Sequence, residues 1–134
     1  MTAHHRILIV DDNDALRENL VELLESEGFL VSEAPGGQQA LAMLASGPLP
    51  SVVLVDMMMP GMTGHELVAR LRAEPRLARL RVVLATGMVP LRGEVAANAV
   101  LSKPFGVEDL LAKLRPLLAE AERDGDLERA TETA

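Results

Sequence analysis

Short β-branched runs alternating with helical apolar stripes predict an α/β fold built on a parallel sheet. Five runs have strand length: Ile7–Val10, Phe29–Ala34, Ser51–Asp56, Val82–Thr86 and Val100–Ser102. The segments between most of them carry leucine or alanine at helical spacing. The third run is apolar at nearly every position, which fits a strand covered on both faces.

The elements follow in order. After Ile7–Val10, a helix from Asp14 to about Glu27 puts Leu16, Leu20, Leu23 and Leu24 on one side, and Gly28 ends it. Asn13 or Asp14 can cap its start. Phe29–Ala34 is the second strand. Gly37 to about Ser46 is a short helix with Ala40, Leu41 and Leu44 inward. Ser51–Asp56 leads through the loop Met57–Gly64 to a helix from about His65 to Ala73, stopped by Pro75. Val82–Thr86 follows. Residues 87–99 carry Pro90 and Gly93, which interrupt any helix there. Val100–Ser102 is brief, and a last helix starts near Val107 with Leu110, Leu111, Leu114, Leu117 and Leu118 on its apolar side.

The 134 residues are enough for one domain with a proper core, and no internal repeat or second domain is visible. Only Phe29 and Phe105 are aromatic, so Leu, Val, Ile, Ala and Met must build that core. The absence of cysteine excludes disulfides and thiolate metal sites, and fits a cytoplasmic protein. The net charge of −7 is concentrated at the C-terminal end, where six acids and two bases follow Ala119. No clustered basic face marks a nucleic-acid partner. The apolar runs are too short to span a bilayer, and no signal peptide is visible. The expected division is a folded body over residues 1–122 and a flexible acidic tail over 123–134.

Chemistry is concentrated where strands end. Asp11-Asp12 closes the first run, Asp56 the third, Thr86 the fourth, and Lys103 follows the fifth. If these runs are parallel neighbours, three acids, a hydroxyl and an ammonium meet at one edge. In open α/β sheets ligands bind beyond that edge. Mg2+ prefers oxygen ligands and keeps several waters, so one or two carboxylates and a phosphate oxygen suit it. A carboxylate can also attack phosphorus, and Asp56, alone on a central strand, is the better nucleophile. Lys103 would neutralise a phosphoryl oxygen and Thr86 would donate to another.

Each residue also has a plain reading. An acidic pair after a strand can serve as a helix cap, Thr86-Gly87 can be a strand end, and Lys103 can be solvated. Asp56 is harder to explain that way, because an unpaired carboxylate at a buried strand end is costly. His4, His5 and His65 have no metal-ligand spacing on one element. The leucines of the last helix are core first and interface second.

Taken together, in order and at strand ends, these motifs resemble the receiver domain of two-component response regulators, from about Arg6 to Leu118. The residues that carry the resemblance are Asp11-Asp12, the segment Asp56-Met57-Met58-Met59-Pro60-Gly61-Met62-Thr63-Gly64, Thr86-Gly87 and Lys103-Pro104-Phe105. The resemblance implies a flavodoxin-like, doubly wound sheet of five parallel strands in the order 2-1-3-4-5, with helices on both faces. It implies that Asp56 accepts a phosphoryl group from a phosphohistidine on a sensor histidine kinase or histidine phosphotransfer protein. Asp12, Asp56 and the Met57 carbonyl would hold Mg2+, with Asp11 acting through ordered water. Thr86 would move toward the phosphoryl group, and the Lys103–Pro104 bond would be cis. Such a domain is no enzyme beyond catalysing its own phosphotransfer and dephosphorylation.

The chain departs from the family in three places. Thr86 and Lys103 are only 17 positions apart, several fewer than in typical receivers. The fourth helix is therefore expected to be short, displaced or missing, which puts dimerisation through the usual face in doubt while leaving a homodimer open. Val100 stands where many receivers have a Tyr or Phe that rotates with the Thr, so that coupled switch cannot work in its usual form. Met58 and Met88, two positions beyond Asp56 and Thr86, are apolar and flexible, and would shield the acyl phosphate from water.

The expectation is thus a stand-alone, phosphorylated receiver whose output is contact with a downstream protein. A receiver-fold interaction module that works without phosphorylation is the alternative. A phosphatase with an aspartyl nucleophile is a poorer fit, because Met58 cannot act as a general acid.

Overall fold

The computed structural model describes residues 5–87 and 96–133, with side chains given through Asp124. Nine elements follow one another in this part: β1 (Arg6–Val10), α1 (Asp14–Ser26), β2 (Leu30–Ala34), α2 (Gly37–Leu44), β3 (Val52–Asp56), α3 (Gly64–Ala73), β4 (Arg81–Thr86), β5 (Ala99–Ser102) and α4 (Val107–Thr133). All strand pairings are parallel and the order is β2-β1-β3-β4-β5. The expected five-stranded, doubly wound sheet is what the chain forms. The expected fourth helix falls on a stretch that includes Met88, Pro90 and Gly93, and these lie outside the described residues.

Alternation along the strands divides the core into two layers. Leu8, Val10, Val53, Val55, Val82 and Leu84 pack with Ala40, Leu44, Leu67, Val68 and Leu71 from α2 and α3. Ile7, Ile9, Val52, Leu54, Val83, Ala85 and Leu101 pack with Leu20, Leu24, Leu110, Leu114 and Leu117 from α1 and α4. Every residue of β3 is buried, as its unbroken apolar run requires. At about 25 cal/mol per Å2 of apolar surface, these two layers supply the main force that holds the strand ends in register.

Local chemistry sets the ends of the elements. Asn13 caps α1, its side-chain oxygen accepting from the Leu16 N–H at 3.0 Å. Gly28, at φ 96°, turns the chain out of that helix, and the Phe29 N–H reaches the Leu24 carbonyl at 3.1 Å. Thr63 caps α3 by accepting from the Glu66 N–H. The last helix runs through Pro116 and on through the acidic segment to Thr133, past the point where the sequence placed a tail. Glu, Arg, Ala and Leu in that segment are all strong helix formers, so its polarity does not end the helix.

Arg72 braces the far edge of the sheet. From α3 it donates to the carbonyls of Ala78 and Ala96 and, at 2.8 Å, to the Asn98 side-chain oxygen. That same oxygen accepts from the Val82 N–H at 2.8 Å. The connection into β5 is thereby tied to α3 and β4 by polar contacts.

Candidate functional site

The sheet order reverses between β1 and β3, because β1 connects outward to β2 while β3 connects outward to β4. Connections that leave for opposite faces open a crevice at the carboxyl ends of these two strands. Asp11 and Asp12 stand at the end of β1 and Asp56 is the last residue of β3. One carboxylate oxygen from each of the three lies within 4.8 Å of the others. Asp11 and Asp56 are buried, at 4% and 6% exposure, while Asp12 faces solvent.

Three acids this close repel one another. The Asp11 carboxyl is held above the usual carboxylate range, first by burial and further by the charges of Asp56 and Asp12. The Asn13 N–H, which donates to Asp11 Oδ1 at 2.9 Å, and the Lys103 ammonium work in the opposite direction. Lys103 Nζ reaches Asp56 Oδ1 at 2.6 Å. A hard divalent cation among these oxygens would relieve the remaining repulsion, and an all-oxygen donor set suits Mg2+ better than a softer metal.

Thr86 ends β4, buried at 1% exposure beside β5, where it pairs with Ser102. Its carbonyl accepts from the Lys103 N–H at 2.8 Å, which sets the lysine backbone beside the threonine. Gly87 is exposed just beyond. The Lys103–Pro104 bond is cis, as the resemblance implies. The parallel register brings the strand ends that carry these five residues to one side of the sheet, with the three carboxylates and the Lys103 ammonium in close contact.

Other expected residues stand differently. The Met57 carbonyl accepts from the Gly64 N–H at 2.9 Å, so a metal could use only its second lone pair. Met58, two residues beyond Asp56, is 60% exposed. Met88 lies outside the described residues. Val100 sits half-buried in β5 opposite Leu84, with no aromatic ring at that position.

Arg17 joins the site although no sequence motif marks it. The residue is buried at 9% exposure, and its guanidinium donates to the Asp11 carbonyl at 2.7 Å. Glu33 and Asp14 accept its other donors. The signal was available: three and seven residues before Leu20 and Leu24, Arg17 falls on the inward face of α1. Gly64 also has a closer role than expected. A Cβ there would lie 2.7 Å from the Asp56 carbonyl oxygen and 2.8 Å from Met57 Cα, so only glycine lets α3 start this close to β3.

Comparison with known proteins agrees with this geometry. Residues 7–115 match the response regulator receiver domain family, and the chain belongs to that family. It is 37% identical over 131 residues to the response regulator MprA of Mycobacterium avium, covering 96% of this chain and 57% of that protein. The chain thus spans little more than half the length of such curated relatives. Among solved structures it is similar to the chemotaxis protein CheY4 of Vibrio cholerae, with 30% identity, a TM-score of 0.77, and 86% and 99% of the two chains covered. It is also similar to the response regulator TrrA of Thermotoga maritima in complex with Mg2+-BeF, with 32% identity, a TM-score of 0.75, and 84% and 98% covered. Among the described residues no helix is long and apolar enough to cross a membrane.

Proposed function

We propose that this receiver accepts a phosphoryl group on Asp56 from the phosphohistidine of a sensor histidine kinase or histidine phosphotransfer protein. The observation that carries the reading is the placement of the Asp56 carboxylate between the acidic pair and the Lys103 ammonium. An Asp56 oxygen bonds to phosphorus as the bond from phosphorus to the donor imidazole nitrogen breaks. The electron pair leaves with the imidazole, which takes up a proton. The product is an acyl phosphate.

Asp11, Asp12 and Asp56 are the residues that would hold Mg2+, with the Met57 carbonyl as a further ligand through its free lone pair. The ion would supply charge neutralisation for the incoming phosphoryl oxygens. Lys103 holds a positive charge beside Asp56 before transfer and stands ready to pair with a phosphoryl oxygen after it. Thr86 would donate its hydroxyl to another. With Met58 two residues beyond Asp56, little orients water toward phosphorus, and the acyl phosphate decays slowly.

The signal leaves by contact with a protein target in the cytoplasm. Residues 1–122 make up the receiver body and 123–134 an acidic extension. One relative, RpaA of Synechocystis, is a DNA-binding dual master transcriptional regulator, and this chain matches about half of that protein's length.

The test is intact mass after incubation with acetyl phosphate or phosphoramidate, with and without Mg2+, on wild type and Asp56→Asn. A gain of one phosphoryl group that needs both Mg2+ and Asp56 is the expected result. No gain with these small donors or with a phosphorylated histidine phosphotransfer protein overturns the reading in favour of a module that works unphosphorylated.

A further inference from the structure

Asp11 is held by every polar group it has. Its N–H donates to the Ala34 carbonyl at 3.2 Å, and its Oδ1 accepts from the Asn13 N–H at 2.9 Å. Its carbonyl accepts from Arg17 Nη1 at 2.7 Å, in a buried contact. Arg17 makes that contact from a fixed position. Its Nε donates to Glu33 on β2 at 2.9 Å and its Nη2 to Asp14 on α1 at 2.8 Å. One planar fork therefore joins the end of β1, the first turn of α1 and the edge strand β2. The two carboxylates neutralise its charge, and their hydrogen bonds keep the guanidinium firmly protonated, the Glu33 contact most of all.

A buried guanidinium bonded to the Asp11 carbonyl needs an explanation beyond helix packing. The inward face of α1 otherwise meets the sheet through leucines, and an apolar residue at position 17 would leave the Asp11 carbonyl without this donor. The carbonyl belongs to the peptide that links Asp11 to Asp12, so holding it sets the orientation of the turn that presents both carboxylates. Residues that orient metal ligands through such contacts typically change metal affinity by about 10–100-fold when lost.

We propose that Arg17 is a positioning residue for the cation site, holding the Asp11–Asp12 peptide in the orientation that Mg2+ binding requires. This rests on the reading of the acidic crevice as a Mg2+ site. Arg17 touches neither the reacting atoms nor the metal. It acts through the peptide, and Glu33 and Asp14 act through Arg17.

Charge and geometry predict opposite signs, which makes the proposal testable. Removing a cation from beside an acidic pocket should tighten Mg2+ binding if charge were all that mattered. Removing a positioning fork should weaken it. The experiment is a Mg2+ titration of the unphosphorylated protein, followed by the amide NMR shifts of Asp12, Asp56 and Met57. Wild type is compared with Arg17→Met, Arg17→Lys and Glu33→Gln, each checked for folding by circular dichroism.

The expected result is Mg2+ affinity about 10–100-fold weaker in Arg17→Met. Arg17→Lys, which keeps the charge but not the fork, is also weakened, and Glu33→Gln loses less. Unchanged or tighter binding in folded Arg17→Met overturns the proposal. If that variant does not fold, unchanged affinity in Arg17→Lys and Glu33→Gln overturns it, and weakened affinity supports it. A wild-type protein that shows no response to Mg2+ overturns the reading of the crevice itself. Wild-type binding with unaltered variants removes only the role of Arg17.

Discussion

Lys103 Nζ lies 2.6 Å from Asp56 Oδ1, joining the end of β5 to the end of β3 across the intervening strand β4. The ammonium thus occupies the crevice before any phosphoryl group arrives and competes with a divalent cation for the same carboxylate. Replacing it by an apolar residue of similar length, Lys103→Met, should tighten Mg2+ binding about fivefold. That corresponds to about 1 kcal/mol, typical of a partly exposed pair. Calorimetric titration with Mg2+ measures this directly, and weaker binding would show that Lys103 supports the metal site.

Asp11 is charged at a cost in the absence of metal. Its carboxyl sits above the ordinary range, chiefly because it is buried. A raised carboxyl stabilises the fold below its unfolded value, and that contribution is lost as pH rises through its folded value. Asp11→Asn, which can still accept from the Asn13 N–H, should therefore melt higher than wild type without Mg2+ at neutral pH. The gain should shrink as the pH falls toward the carboxylate range. Thermal melts at several pH values check both the sign and the trend.

Gly64 should tolerate no side chain. In Gly64→Ala the new methyl would meet the Asp56 carbonyl oxygen and Met57 Cα, backbone atoms that cannot rotate away. Overpacking of this kind costs about 1–3 kcal/mol, and a Tm lower by roughly 5–10 °C is expected. Because the displaced atoms belong to the acceptor and its neighbour, phosphorylation of the folded variant should slow as well.

Met58 is exposed beside the acceptor and has no group that orients water. Met58→Asn adds an amide that can donate to and accept from a water molecule near phosphorus. Loss of phosphoryl mass with time should be several-fold faster in this variant than in wild type. An equal or slower decay would mean that water enters from elsewhere.

The end of α4 is held by polar contacts with exposed acids: Arg81 pairs with Glu120 and Asp124, and His5 Nε2 lies 2.8 Å from Glu122 Oε1. Such contacts are worth about 0–1 kcal/mol each. Among the described residues the last buried leucines, Leu117 and Leu118, come earlier. A chain ending after Asp124 should melt within about 2 °C of the 134-residue chain, and differential scanning calorimetry decides it.

The amino-acid sequence by itself determined the element order, the two-faced burial of β3 and the residues that end each strand. Alternation and helical spacing are local patterns, and they point directly at which side chains must leave water. The caps were legible nearly as far, since they act on backbone within a few residues: Gly28 was marked outright, and the start of α1 was narrowed to Asn13 or Asp14. What tertiary structure decided was which distant groups meet. Arg17 becomes part of the site only because β2 brings Glu33 beside the β1 end. Arg72 becomes a brace only because Ala96 and Asn98 return to α3. Gly64 is required only because α3 begins against the acceptor's own carbonyl, and the Met57 carbonyl is partly engaged for the same reason. These are contacts between segments far apart in the chain, or between backbone atoms that carry no residue signature. Periodicity reports which face a residue occupies, but not what lies across from it.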